Sequence, residues 1–253
     1  MIVVPYNPIA FSIFNIEIRW YGIIYALSLL LIYFSFHILS KKNKVKLNED
    51  DIDNYFILFL LANLIGARLF DFIFYYPSKL FADPLSVLYI WNGGLSFHGG
   101  LIGILIATYF YSKYKKVNLW PILDLIALIV PLILAIGRIG NFINHELVGK
   151  IWQSDYCFNF ATISGCRYPS QLFESFYSTI LFIIMIYVYK KKLPDGLTFF
   201  IGFTLYGLFR FIFNFFRDDT LILLNLSMGQ ILSLLMFIFG LIIIIKKYYS
   251  DDD

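Results

Sequence analysis

The chain has 253 residues, 60% hydrophobic, 20% aromatic and only 15% charged, with a formal net charge of +3. So apolar a composition excludes an ordinary soluble domain, and apolar stretches occupy so much of the length that no separate soluble domain fits beside them. The expected fold class is an all-α polytopic membrane protein, one integral membrane domain over residues 1–253.

Taken in chain order, the first segment, "MIVVPYNPIAFSIFNIEIRW", is broken by Pro5 and Pro8 and lacks both a basic start and a small-residue cleavage pattern. It is therefore not read as a secretory signal, and the first span is expected to direct insertion. Crossing a hydrocarbon core of about 30 Å takes about 20 apolar residues. On that measure seven transmembrane helices are expected at about 20–39, 53–76, 95–112, 119–143, 170–189, 196–216 and 228–245. Short interfacial segments at about 1–19, 77–94, 145–169 and 217–227 would lie on the outer face.

Basic clusters alternate with the spans: Lys41, Lys42, Lys44 and Lys46, then Lys113, Lys115 and Lys116, then Lys190, Lys191 and Lys192, then Lys246 and Lys247. By the positive-inside rule these loops are cytoplasmic, which puts the N-terminus outside and the C-terminus in the cytoplasm. These clusters hold 12 of the 14 lysines, whereas none of the six arginines lies in them. Arg19, Arg68, Arg138, Arg167, Arg210 and Arg217 all fall in a span or on the outer side. A planar, permanently charged guanidinium grips phosphate oxygens in pairs, so this sorting suits an anionic lipid headgroup.

Counting about 1.5 Å per residue from each cytoplasmic end puts His98, Arg68 and Arg210 at about 22 Å, Glu174 at about 24 Å and Arg138 at about 28 Å. Intramembrane charges usually face a cavity or a partner, and a shared layer in the outer third is the arrangement a pocket near the outer leaflet needs. Asp124 stands apart near the inner end of its span, where an acid would complement the dipole of that helix's early turns. Tyr206, Arg210, Asn214 and Arg217 recur on one helix face, and Arg68 can pair with Asp71 at i, i+3. Gly93, Gly94, Gly99, Gly100 and Gly103 are read first as tight helix packing.

Cys157 and Cys166 allow only one disulfide, which an oxidising exterior would permit and which the sequence leaves open. His37, His98 and His145 show no metal-ligand spacing, so no metal or other cofactor is implied. Phosphate-loop, GxSxG and HExxH motifs are absent. A transporter of anionic lipid would also place arginines in a cavity, but an odd span count without a visible repeat speaks against it.

"GRIGNFINHELVG" resembles the signature of the bacterial prolipoprotein diacylglyceryl transferases. "RWYGIIYALS", "GGLSFHGGLIG", "YPSQLFES", "LYGLFRFIFNFFR" and "SMGQILS" resemble further blocks of that family in the same order, over about residues 18–245. The resemblance implies an enzyme of the bacterial cytoplasmic (inner) membrane with its site toward the outer leaflet. It would move the diacylglyceryl group of phosphatidylglycerol to the lipobox cysteine thiol of a preprolipoprotein signal peptide and release glycerol phosphate. Membrane lipid is thus the partner, and no nucleic acid is implied.

Carried over by position, the resemblance points to Tyr21, Arg68, His98 and Gly99, to Arg138, Asn141, Asn144 and Glu146, and to Tyr206 and Arg210. His98, Arg138 and Arg210 would be catalytic and the others would bind lipid or thiol peptide. A thiol near pKa 8.5 must lose its proton, which suits a histidine base, and a departing phosphate needs cationic hydrogen-bond donors. Two departures stand out: Asn214 replaces the usual acid four residues after Arg210, and His145 replaces a small or polar residue.

Overall fold

The computed structural model describes residues 1–14, 16–42, 45–89 and 94–250; Lys44, Gly93 and the Ile90–Trp91 part of "DPLSVLYIW" lie outside them. Eight α-helices run through the described residues: α1 (Trp20–Lys42), α2 (Glu49–Phe74), α3 (Pro77–Ala82), α4 (Phe97–Lys115), α5 (Leu119–Ile143), α6 (Ser170–Lys190), α7 (Leu197–Phe213) and α8 (Met228–Ser250). Six of these, α1, α2 and α5 to α8, are long and apolar enough to cross a membrane by length and composition. The stretch expected as the third span, α4, is not among the six. His98, Gly99, Gly100 and Gly103 at one end and Lys113 and Lys115 at the other dilute its apolar content.

Short strands accompany the helices: β1 (Ile2–Val4), β2 (Ile9–Ile13), β3 (Ile16–Arg19), β4 (Phe158–Phe160), β5 (Cys166–Arg167), β6 (Leu221–Leu223) and β7 (Leu226–Ser227). β2 and β3 form an antiparallel hairpin leading into α1, and β1 pairs in parallel with β4, matching Ile2 to Phe158 and Val4 to Phe160. β5 completes this sheet, and a disulfide joins Cys157 to Cys166 with a Cα–Cα distance of 5.4 Å.

The chain divides into two compact units, one made of residues up to Ser35 together with those from Asp124 onward, the other of Phe36–Leu123. In the second unit, Asn48 caps α2 by accepting from the Asp51 amide at 2.7 Å, and Glu49, Asp50 and Asp51 complement the helix dipole. α2 packs against α4 through glycine. A Cβ on Gly99 would meet the Gly66 carbonyl and the Phe70 side chain, and one on Gly103 would meet the Ala62 carbonyl. Small residues here let two backbones touch, the packing use expected of them. Farther along the same contact, Tyr55 and Thr108 share a buried hydroxyl–hydroxyl hydrogen bond of 2.6 Å.

In the first unit α7 and α8 run antiparallel in close contact. Arg210 lies beside Gly229, Gly207 beside Ser233 and Phe237, and Thr204 beside Gly240. Asp124 of α5 has a different task from the one its position suggested. Its carboxylate accepts from the Gly196 amide at 2.9 Å and the Phe199 amide at 2.7 Å, so it caps the start of α7 rather than serving the early turns of its own helix. Asp124→Ala strips both acceptors from buried amides and should destabilise the protein by about 1–3 kcal/mol. Asp124→Asn, which keeps one acceptor, should fall between; thermal unfolding in detergent reads the order.

Candidate active site

The strongest feature of the first unit is a carboxylate held by three arginines. Glu174 sits one turn into α6 with its side chain 1% exposed. Arg138 of α5 reaches its Oε2 through Nε at 2.8 Å, Arg210 of α7 makes an ion pair to the same oxygen, and Nη1 of Arg217 lies 3.6 Å from Oε1. Arg217 also pairs with Asp219 through Nε at 2.8 Å. Three guanidinium groups therefore face two carboxylates, and the excess is positive. Arg138, Glu174 and Arg210 come from three helices, so the shared depth counted along the sequence corresponds here to direct contact.

From Arg138 the network continues into the turn after α5. Arg138 donates through Nη1 to Asn141 Oδ1 at 3.1 Å, Asn141 Nδ2 donates to Glu146 Oε2 at 3.0 Å, and Asn144 Nδ2 donates to Glu146 Oε1 at 3.3 Å. A chain that left α5 straight would carry Glu146 away. Instead His145 and Leu147 take the left-handed backbone region (φ 55° and 56°), which L-residues with a Cβ enter only where the surroundings hold them. The first turn of α6 supplies that hold: Gln171 Nε2 donates to the Glu146 carbonyl at 2.6 Å and Ser170 Oγ to the Leu147 carbonyl at 2.8 Å.

Tyr21, at the start of α1, meets the Asn141 side chain, and Tyr206 lies within electrostatic reach of Arg210, Arg138 and Glu174. A groove of about 620 Å³ runs along Glu17, Arg19, Tyr21 and Asn144, and Gly22 on its wall faces open space. Asn144 belongs to both groove and network.

Arg68, His98 and Gly99 belong to the other unit. Arg68 donates to the carbonyls of Ser86, Val87, Tyr89 and Gly94 at 2.8–3.2 Å, and its guanidinium lies over the Phe72 ring. It holds the backbone at Ser86, Val87 and Tyr89 and again at Gly94. His98 is buried in the first turn of α4, edge-on to Phe97, where Ser96 caps the helix. Gly99 faces α2, as packing requires.

Of the remaining residues singled out, Asn214 leaves Arg210 with an acid partner after all, because Glu174 supplies it from α6. Asn214 Nδ2 donates to Asp219 at 3.0 Å and to Ser227 Oγ at 2.8 Å. His145 bonds Thr162 Oγ1 through Nδ1 at 2.9 Å between the rings of Tyr6 and Phe160, and burial holds its imidazole below the ordinary range. Arg167 pairs with Asp218 at 2.7 Å and bonds the Gly149 and Ser164 carbonyls, so it braces the segments that follow α5 and α7. Among the described residues no His, Cys, Asp or Glu cluster is gathered as metal ligands.

The family model for prolipoprotein diacylglyceryl transferase matches residues 8–246. The chain belongs to the prolipoprotein diacylglyceryl transferase family. It is 35% identical to the phosphatidylglycerol–prolipoprotein diacylglyceryl transferase of Geobacter sulfurreducens, over 93% of each chain. Relatives of the same name from Campylobacter jejuni and Clostridium novyi are each 38% identical, covering 95% of this chain and 93% and 96% of their own. As a member of this transferase family the chain is a multi-pass membrane enzyme, and its helices of membrane-crossing length accord with that. Glu174 and Arg217 extend the set of candidate site residues that the family blocks suggested. Glu174 was visible as a carboxylate at the common depth, but nothing local marked it as the partner of three arginines.

Proposed function

We propose that this chain transfers the diacylglyceryl group of phosphatidylglycerol to the thiol of a lipobox cysteine in a preprolipoprotein, the first step of bacterial lipoprotein maturation. The observation that carries this reading is the convergence of Arg138, Arg210 and Arg217 on buried Glu174, joined through Asn141 to Glu146. Such a cluster offers fixed, charge-assisted donors to a phosphate in a medium where they are worth more than in water.

In the step itself the thiolate attacks the glyceryl carbon bonded to the phosphate oxygen. A sulfur–carbon bond forms, the carbon–oxygen bond breaks, and the electron pair leaves with glycerol phosphate. Charge grows on the departing phosphate, and Arg138 and Arg210 are assigned to it. Asn141 and Glu174 hold the Arg138 guanidinium from two sides, so little reorganisation is needed as that charge appears. Tyr21, Asn141, Asn144, Glu146 and Tyr206 are assigned to substrate positioning. On its chemistry, His98 takes the thiol proton; Arg68 and Gly99 support the helix and loop around it.

The alternation of lysine clusters supports seven spans with the N-terminus outside and one integral membrane domain in the cytoplasmic membrane, its site toward the outer leaflet. The test is a reconstituted assay with purified protein, phosphatidylglycerol and a lipobox peptide, read by mass spectrometry. A thioether adduct is expected with the cysteine peptide and none when serine replaces it, and His98→Gln should lower the rate by about 10²- to 10⁴-fold. Folded wild type that forms no adduct in any lipid composition would overturn the transferase reading, and a His98→Gln variant with near-normal turnover would remove the base assignment.

A further inference from the structure

The block "SMGQILS" has no part in the chemistry assigned above, yet it forms one of the most polar buried places in the first unit. Ser227 and Gln230 cap α8 reciprocally: the Ser227 amide donates to Gln230 Oε1 at 3.0 Å and the Gln230 amide donates to Ser227 Oγ at 3.3 Å. This arrangement uses one end of the Gln230 amide and leaves the other. Gln230 Nε2, Ser233 Oγ and Asn214 Oδ1 are buried without a hydrogen-bond partner among the described residues. All three side chains belong to residues no more than 2% exposed.

The three residues lie along the contact of α7 with α8, where Gly207 meets the Ser233 backbone and Gly229 approaches Asn214. A point one bond out from Gly229 is 3.8 Å from Asn214 Oδ1 and 3.9 Å from Arg210 Nη2, so an unused acceptor and a phosphate-binding guanidinium flank the same glycine. Ser233 follows Gln230 by three residues, on the same helix face. The set comprises an acceptor, a donor and a hydroxyl that can act as either. Two neighbouring alcohol groups, each donating and accepting, match that set, and the nearby arginines would repel a cationic amine.

We propose that this junction seats the terminal glycerol of the donor lipid, with Asn214, Gln230 and Ser233 recognising its two hydroxyls while Arg210 holds the adjoining phosphate. The assignment rests on the transferase reading and adds to it the residues that choose the headgroup.

The test compares phosphatidylglycerol with phosphatidylpropanol, which has the same charge and a three-carbon head without hydroxyls, in the reconstituted assay. Wild type should favour phosphatidylglycerol by about 100-fold or more in kcat/KM, because a site built to bond hydroxyls is left with unpaired groups by an analogue lacking them. Ser233→Ala and Gln230→Met should each shrink that preference by about tenfold, the size of one lost hydrogen bond. Ser233→Ala removes a single oxygen, and its thermal unfolding confirms that the fold is kept. Equal use of both donors by wild type would overturn the proposal, as would a full preference retained in folded Ser233→Ala and Gln230→Met. Wild type inactive on both donors would instead strike the transferase reading and take this proposal with it.

Discussion

Replacing Arg138 with alanine is expected to lower kcat/KM for diacylglyceryl transfer by about 10³-fold or more, with kcat carrying most of the loss. One preorganised donor aimed at developing charge is typically worth about 10²- to 10³-fold. On the proposed reading Arg138 would contribute such a donor, and its guanidinium also joins two side chains, binding Glu174 by one edge and Asn141 by another. Lysine keeps the charge but has no fork with which to hold both partners. Arg138→Lys is therefore expected to recover less than a tenth of the wild-type rate. Steady-state kinetics across a phosphatidylglycerol series separates the cases: a rise in KM with kcat unchanged would mean that Arg138 only binds lipid in the ground state.

The second large effect concerns stability. Glu174→Ala should destabilise the protein by about 3–5 kcal/mol, because removing one partner of a buried ionic cluster leaves the others uncompensated. Arg138, Arg210 and Arg217 would then face one another without the carboxylate they share, while Arg217 keeps its pair with Asp219. Glu174→Gln keeps the shape and loses the charge, so it should unfold close to the alanine variant rather than to wild type. Thermal unfolding in detergent measures both. A wild-type melting temperature for Glu174→Gln would mean that shape rather than charge holds the three arginines.

Much of this architecture is legible in the sequence because the membrane imposes it. Runs of apolar residues between lysine clusters mark the helices, and charges too costly to leave in lipid mark Arg138, Glu174 and Arg210 as parts of one layer. What local pattern does not carry is the choice of partner. Asp124 reads as an acid near the beginning of α5, and nothing nearby says that it binds amides 72 and 75 residues away. Arg68 reads as a substrate ligand or an i, i+3 partner of Asp71, which does feel its charge, but nothing local says that its donors also reach carbonyls 18 to 26 residues on. The parallel pairing of Ile2–Val4 with Phe158–Phe160 is equally non-local, since such short strands have too little periodicity to reveal themselves. α4 shows the opposite tension. The glycines that let it touch α2 also weaken the apolar signal by which a span is recognised.

The order in which the cluster's members leave the ribosome gives its geometry a meaning for biogenesis. Arg138 emerges first, Glu174 second and Arg210 third, so the charges enter the bilayer as positive, negative, positive. An arginine within an inserting helix is costly to leave without a partner. The carboxylate of α6 arrives as the next helix and can neutralise Arg138 before Arg210 follows. The ion pair that braces the Arg138 guanidinium in the folded protein thus joins two helices that are consecutive in synthesis, with the second supplying the charge that the first lacks.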